Sequence, residues 1–199
     1  MSNKKIVFIN PPYERIAKGY DFVKHITNNS PSLGLLHLAA EVRLHGYVPK
    51  IIESDIFNMS IDAVMEEVEK ESPAYVGITL FTVGVWNALT IAREIKKRLP
   101  KTVIIVGGPH ISSMGKETME RFREFDYAVN GEGEKILVEL LQALETGGDP
   151  FGVPGIIFRK GPFLQQTQGK AINKIDADRA TQCQTVAGAI TQRYEIVAI

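Results

Sequence analysis

Short runs of apolar residues recur along the first two thirds of the chain, and their length is that of β-strands. The clearest is Val103 to Val106, an unbroken β-branched run of the kind buried on both faces of a parallel sheet. Glycine, proline or asparagine bounds most of the runs, as expected for strand ends. The pattern predicts strands at residues 5–10, 48–53, 74–80, 103–106 and 127–129.

Between the predicted strands, apolar residues recur every three to four positions, which is the period of an amphipathic helix. One such stripe ends at Gly46 and consists of Leu35, Leu38, Ala39 and Val42. Further stripes lie at residues 61–68, 88–99 and 136–144, and a short helix is predicted at 117–125. Alternating strands and helices indicate βαβ units. We therefore predict an α/β fold, flavodoxin-like and doubly wound, with a five-stranded parallel sheet in the order 2-1-3-4-5.

The alternation stops near residue 150, and we predict a domain boundary there. Residues 1–150 form the predicted α/β domain, and residues 151–199 a short hairpin or edge strand with a partly disordered tail. A long connection, residues 11–32, joins the first strand to the first helix. Connections of this kind usually have only a few residues, so we interpret it as a functional loop, with a disordered excursion as the alternative.

The composition of the chain limits the kinds of protein that it can be. Lys plus Arg and Asp plus Glu number 23 each, so no net charge attracts nucleic acid or an anionic membrane. The single cysteine, Cys183, excludes an internal disulfide framework and fits a reducing compartment. The first apolar run is too short for a signal segment or a membrane span. We expect a cytoplasmic protein without a nucleic-acid partner.

In a sheet of this order, ligands bind beyond the carboxyl ends of the strands. Gly107 and Gly108 follow a buried strand there, and glycine permits positive φ and leaves no Cβ between the backbone and a ligand. We call this edge, with the loops that follow the first, third, fourth and fifth strands, the rim. The rim loops contain Asn10, Pro11, Pro12 and Tyr13; Thr79, Leu80, Phe81 and Thr82; Gly107, Gly108, Pro109 and His110; and Gly131, Glu132, Gly133 and Glu134.

The rim lacks the features of several common sites on such folds. A dinucleotide site needs G-x-G-x-x-G after the first strand, where this chain has Asn-Pro-Pro. A phosphorylated receiver site needs acidic residues after the first strand and an Asp after the third, where Asn10 and Thr79 stand. Glu132 and Glu134 at the start of a helix repel phosphate. No G-x-S-x-G of hydrolases follows a strand.

Several rim side chains leave more than one role open. Tyr13 could stack on a flat ligand or simply belong to a strand end. Thr82 could bind a ligand or cap the next helix. His110 could be a ligand, a general acid–base or a structural hydrogen bonder, and a lone histidine is more often the last. An acid–base enzyme using His110 with Glu132 or Glu134 lacks an accompanying nucleophile or metal cluster.

Four motifs and a later strand follow one another along residues 4–160, and their order and spacing are specific as a set. They are Asn10-Pro11-Pro12; Pro31-Ser32-Leu33-Gly34-Leu35 with His45-Gly46-Tyr47; Val106-Gly107-Gly108-Pro109-His110; Asn130-Gly131-Glu132-Gly133-Glu134; and Pro154-Gly155-Ile156-Ile157-Phe158-Arg159. Together they resemble the cobalamin-binding domain of cobalamin-dependent radical S-adenosylmethionine enzymes. The anaerobic magnesium-protoporphyrin IX monomethyl ester oxidative cyclase is one type in that family.

The resemblance implies a corrinoid across the rim, with its dimethylbenzimidazole tail threaded into the fold beside the sheet. Gly107 and Gly108 would let the tail pass, and Thr79 and Thr82 would hydrogen-bond the nucleotide loop or the tail. The implied cofactor-binding residues are the rim residues named above except Glu134, together with Leu33 and Gly34.

The chain departs from the family pattern in two places. The D-x-H-x-x-G motif, whose histidine holds cobalt in classical cobalamin carriers, is missing, since Val23 stands two positions before His25. We therefore expect a base-off cobalamin and no metal ligand from this chain. The C-x-x-x-C-x-x-C motif for an iron–sulfur cluster is also missing, so the chain alone is not expected to catalyse a radical step. The cluster and S-adenosylmethionine are expected only with a barrel domain supplied elsewhere.

We predict a cobalamin-binding module that resembles the N-terminal part of such an enzyme. It is a fragment of a larger oxidative cyclase or methyltransferase, a stand-alone corrinoid binder, or a degenerate relative, and the catalytic domain is supplied in cis or in trans. The alternative is a non-enzymatic interaction domain that kept the fold and lost the ligand. Its expected sign is an obstructed rim, with the first loop or the tail over Gly107 and Gly108.

Overall fold

A computed structural model of the protein describes residues 3–12 and 31–169. In these ranges one mixed sheet is built from the strands β1 (Lys5–Asn10), β2 (Val48–Glu53), β3 (Tyr75–Thr79), β4 (Val103–Gly107), β5 (Tyr127–Val129), β6 (Ile156–Lys160) and β7 (Phe163–Gln166). The strand order is β2-β1-β3-β4-β5-β6-β7. Strands β1 to β5 pair in parallel, whereas β6 pairs antiparallel with β5 and with β7.

The parallel part of the sheet confirms the predicted flavodoxin-like order 2-1-3-4-5. The hairpin predicted beyond residue 150 is formed by β6 and β7, and it lengthens the same sheet past β5. The backbone reverses between them at Gly161, whose φ of +62° is accessible to glycine without steric cost. The division of the chain at residue 150 stays a prediction, and the predicted tail from residue 170 onward lies outside the described residues.

Helices cover both faces of the sheet. They are α1 (Leu33–Leu44), α2 (Ile61–Glu71), α3 (Val85–Arg98), α4 (Pro109–Arg121) and α5 (Gly133–Glu145). Serine residues precede the first two helices. Ser32 Oγ accepts from the Leu35 N–H at 3.4 Å, and Ser60 Oγ accepts from the Ala63 N–H at 3.2 Å. Each serine therefore satisfies one of the backbone donors that a helix start leaves free.

Helix α4 differs from the prediction, which placed a short helix at residues 117–125. The helix begins at Pro109, directly after Gly108, because the fixed φ of proline suits the first helical position. It bends at Met114, whose φ of −133° and ψ of 27° are not helical. As a consequence, His110 lies in the first turn of a helix rather than in a loop.

The two faces of the sheet carry separate apolar cores. Alternate residues of a strand point to opposite faces. Val7 and Ile9 of β1 pack with α2, α3 and α4, whereas Ile6 and Phe8 pack with α1 and α5. None of the helices within residues 31–169 has the length and apolar character that crossing a bilayer requires.

Candidate functional site

A cavity of about 310 Å³ opens at the rim, on the face of the sheet that carries α1 and α5. Its walls come from β1, β3, β4 and β5 and from the first two turns of these helices. Strand order reverses between β1 and β3, and ligands of doubly wound sheets bind at such a point. The cavity therefore lies where the sequence predicts a binding site.

The cavity is polar at its mouth and apolar at its inner end. The mouth contains the hydroxyl groups of Ser32 and Thr79 and the carboxylate of Glu134. The inner end is formed by apolar side chains and one glycine: Phe8, Leu35, Leu38, Gly77, Ile105 and Leu137. A ligand that fits this cavity has an apolar end inside and polar groups near the rim.

Gly77 makes room for the aromatic ring of Phe8 at the inner end. A Cβ on Gly77 would lie 2.7 Å from Cδ1 of Phe8, so the ring rests against bare backbone. With any larger residue in place of Gly77, the ring would have to move. Neither residue belongs to the binding set predicted from the sequence. The available signal was a glycine inside a buried strand, which often marks a close approach by a ligand or another group.

The two rim glycines differ in what constrains them. Gly108 has φ of +100° and ψ of −177°, a region essentially restricted to glycine. A Cβ there would lie 2.9 Å from Thr79 Oγ1 and 3.1 Å from the carbonyl oxygen of Leu80. A Cβ on Gly107 would lie no closer than 3.7 Å to its nearest neighbour, the carbonyl oxygen of Val129. Gly108 thus shapes the turn, and Gly107 leaves the cavity mouth open.

The structure brings the rim loops together, but only part of the predicted binding set lines the cavity. The lining members are Gly34, Thr79, Phe81, Gly107, Gly108, Pro109, Gly131 and Gly133. Those that do not line it are Asn10, Pro11, Pro12, Leu33, Leu80, Thr82, His110 and Glu132. Leu80 is fully buried in the core on the opposite face. Tyr13 lies outside the described residues, and the binding roles of the whole set stay predictions.

Asn10 contacts the site through the buried carboxylate of Glu53, at the end of β2. Asn10 Nδ2 donates to Oε2 of Glu53 at 2.9 Å, and the backbone N–H of Ser32 donates to Oε1 at 2.7 Å. Only 1% of Glu53 is exposed. The Glu53 carboxylate therefore connects Asn10, at the end of β1, with Ser32, at the start of α1. This contact holds Ser32 at the cavity mouth. Glu53 is not among the predicted site residues, because its partners Asn10 and Ser32 are distant from it along the chain.

His110 connects the loop after β3 with α4. Its Nδ1 lies 3.1 Å from Thr82 Oγ1, and its Nε2 lies 3.0 Å from Thr118 Oγ1. The Thr118 hydroxyl donates its proton to the carbonyl oxygen of Met114 at 2.6 Å, so it accepts from Nε2–H, and Nδ1 accepts from Thr82. Both ring nitrogens are therefore occupied, which supports the structural role among those left open.

Within the described ranges, no three His, Cys, Asp or Glu side chains group to hold a metal ion.

Below about pH 6.5 we expect the protein to lose stability that a His110→Gln variant does not lose. Burial lowers the pKa of His110, whereas the imidazole of an unfolded chain titrates near 6.5. Between the two pKa values the unfolded state binds more protons than the folded state. The free energy of unfolding therefore falls as the pH falls through this range, and above about pH 6.5 no stability is lost. Urea unfolding of both proteins at about pH 7.5 and 5.5 measures the difference. An equal pH dependence in the two proteins would contradict this role of His110.

Comparison with known proteins identifies relatives that match most of the chain. The family model of the B12 binding domain matches residues 21–141. An uncharacterized methyltransferase of Pyrococcus horikoshii is 31% identical over 177 residues, which cover 88% of this chain and 37% of that protein. The anaerobic magnesium-protoporphyrin IX monomethyl ester cyclase of Rubrivivax gelatinosus is 29% identical over 147 residues, 72% of this chain and 25% of the cyclase. The chain thus spans well under half the length of these relatives.

A solved structure shares the fold. The radical S-adenosylmethionine methyltransferase TsrM of Kitasatospora setae, determined with cobalamin and a [4Fe-4S] cluster bound, matches with a TM-score of 0.68 at 24% identity. The match covers 84% of this chain and 31% of TsrM. At this identity the likeness shows the fold alone.

Proposed function

Because the chain belongs to the B12-binding domain family, we propose that its cavity holds the nucleotide tail of a cobalamin whose corrin ring lies across the rim. The chain is similar to the cobalamin-binding part of cobalamin-dependent radical S-adenosylmethionine enzymes, the cyclase and TsrM among them. The observation that carries the proposal is the cavity, open at the rim, polar at its mouth and apolar inside. A nucleotide tail has the same order of groups, with phosphate and ribose next to the ring and an aromatic base at the far end.

The size and the chemistry of the cavity fit such a tail. Its volume of about 310 Å³ lies near the lower end of the range of roughly 300–1,000 Å³ that is usual for small-molecule sites. At the mouth, the hydroxyl groups of Ser32 and Thr79 can donate to phosphate or ribose oxygens, and the carboxylate of Glu134, which would repel the phosphate, can accept from a ribose hydroxyl. The bare backbone of Gly107 lets the tail enter, and Leu35, Leu137 and their apolar neighbours surround the base.

A tail in the cavity is removed from cobalt, so we propose that cobalamin binds base-off and without a histidine ligand from this chain. Both nitrogens of His110 are occupied by threonine hydroxyls, and His25 lies outside the described residues. Bound cobalamin supplies a cobalt centre that can carry a methyl group or an electron. The residues of this chain would bind the tail, fix the orientation of the ring and leave its outer face accessible.

The accessible face suits a second domain that carries the chemistry. The relatives are longer proteins in which this domain is one part, and TsrM also contains a [4Fe-4S] cluster. We propose that a radical S-adenosylmethionine domain, in cis or in trans, brings the cluster and S-adenosylmethionine to this module. The alternative, an interaction domain that lost its ligand, predicts a rim obstructed by the first loop or the tail. Residues 13–30 of that loop and the tail from residue 170 lie outside the described residues.

Titration with hydroxocobalamin tests the proposal. We expect saturable binding at one site, and much weaker binding of cobinamide, which lacks the nucleotide tail. After reduction to cob(II)alamin, electron paramagnetic resonance of the complex is expected to show a base-off spectrum without nitrogen superhyperfine splitting. No binding by folded protein, or an affinity for cobinamide equal to that for cobalamin after correction for the base-off fraction of free cobalamin, would contradict a tail in the cavity. Nitrogen splitting in the bound state would contradict base-off binding without histidine.

A further inference from the structure

We propose that the inner end of the cavity selects among corrinoids by their nucleotide base, favouring benzimidazole bases over purines such as adenine. The inference rests on the proposed function, since it concerns the identity of the base that the cavity accepts. Corrinoids with different bases share the ring, the phosphate and the ribose. Any discrimination between them must therefore come from the part of the protein that surrounds the base.

The floor of the inner end is a single row of the sheet. Phe8 is in register with Gly77 on the next strand, and Gly77 with Ile105 on the strand after it. Thr79 and Gly107, which end β3 and β4, stand two residues further along their strands, so the row lies roughly 7 Å deeper than the mouth. Phe8 and Ile105 are 1% and 3% exposed. The row presents carbon surface only.

The roof of the inner end is equally apolar. It consists of Leu35 and Leu38 of α1 and Leu137 of α5. The backbone groups of the floor are used in the sheet, since β3 pairs with β1 on one side and β4 on the other. Among the described residues, the polar side chains of the cavity belong to its mouth. The inner end of the described cavity therefore offers a base no hydrogen-bond partner.

This environment affects the two kinds of base differently. Dimethylbenzimidazole carries two methyl groups, and each methyl buried in an apolar site strengthens binding roughly fourfold. Adenine carries an exocyclic amine and additional ring nitrogens that lose water on entering. A buried polar group without a partner weakens binding by about tenfold to a hundredfold. We expect the cavity to bind a cobalamin at least about tenfold more tightly than its adenine counterpart.

Equilibrium dialysis with three methylated probes tests the inference: methylcobalamin, the corresponding adenine-containing cobamide, and methylcobinamide, which has no base. Apparent affinities must be compared for the same ligand state, because the two cobamides differ in how readily the base leaves cobalt. Acid titration of each free cobamide gives its base-off fraction at the assay pH. Dividing the apparent affinity by that fraction gives the intrinsic affinity of the base-off form.

The outcomes separate the inference from the function on which it rests. A corrected preference of at least about tenfold for methylcobalamin over the adenine cobamide supports the inference. Equal corrected affinities, with methylcobinamide much weaker than both, overturn the inference and leave the proposed function standing. Methylcobinamide as tight as methylcobalamin after the same correction overturns the proposed function and the inference together.

A matched pair of variants places the selection at the floor. Ile105→Thr introduces a hydroxyl into the row, whereas Ile105→Val removes a methyl group without adding a polar atom. We expect the preference for methylcobalamin to fall in Ile105→Thr and to be kept in Ile105→Val, with thermal unfolding establishing that both are folded. An equal preference in the two variants would contradict selection by this row.

Discussion

Replacing Gly107 with leucine is expected to weaken cobalamin binding by at least about a hundredfold while leaving the stability of the fold unchanged. Gly107 has no positive φ, and a Cβ there meets nothing closer than the Val129 carbonyl oxygen at 3.7 Å. The larger side chain would fill the mouth of the cavity. Losing the contacts of a base with about eleven non-hydrogen atoms, at roughly 0.3 kcal/mol each, corresponds to about 3 kcal/mol. Calorimetric titration with hydroxocobalamin measures the loss.

Gly108→Ala, a substitution at the neighbouring rim glycine, serves as the control. It is expected to lower the stability of the fold, which Gly107→Leu is expected to leave unchanged. The φ of residue 108 is +100°, and a Cβ there lies 2.9 Å from Thr79 Oγ1. Alanine at this position therefore strains the folded state. We expect a loss of about 1–3 kcal/mol in the free energy of unfolding, measured with urea. Unchanged cobalamin affinity in Gly107→Leu would contradict the proposed path of the tail. Unchanged stability in Gly108→Ala would contradict the assignment of Gly108 to the turn.

Replacing Glu53 with leucine is expected to lower the free energy of unfolding by about 2–4 kcal/mol. The carboxylate accepts from the Ser32 N–H and from Asn10 Nδ2, and it is 1% exposed. Leucine leaves both donors buried without an acceptor. Cobalamin affinity is expected to fall as well, since Ser32 and the first turn of α1 are held at the cavity through this contact. Urea unfolding and hydroxocobalamin titration measure the two effects.

Glu53→Gln is the matched control for the carboxylate. Glutamine retains one oxygen acceptor and presents an amide N–H₂ in place of the other. Oδ1 of Asn10 is buried and has no hydrogen-bond partner among the described residues, so rotation of the Asn10 amide can offer it to that new donor. We expect Glu53→Gln to lose less than half of what Glu53→Leu loses. Equal losses would contradict a role for the two hydrogen bonds and indicate a requirement for the negative charge itself.

The strands, their order and the loops that meet at the rim could be predicted from local patterns. A run such as Val103 to Val106 can be recognised as a buried strand without knowing its neighbours in the fold. Short apolar runs that alternate with amphipathic helices are compatible with only a few strand orders. The start of α4 was predicted wrongly, because residues 109–116 show little apolar periodicity and the prediction followed that signal alone. The proline that follows Gly108 was the sequence sign of the true start.

The sequence by itself determined the fold class, the parallel strand order and the rim as the place for a ligand, and its motifs resembled the family to which the chain belongs. Only the tertiary structure decided which rim residues line a cavity. In the folded chain the Phe8 ring packs against Gly77. Glu53 accepts hydrogen bonds from Ser32 and Asn10, and both ring nitrogens of His110 form hydrogen bonds with threonine hydroxyls. Periodicity and turn preferences act between neighbours in sequence, whereas these contacts join residues that only folding brings within a few ångströms.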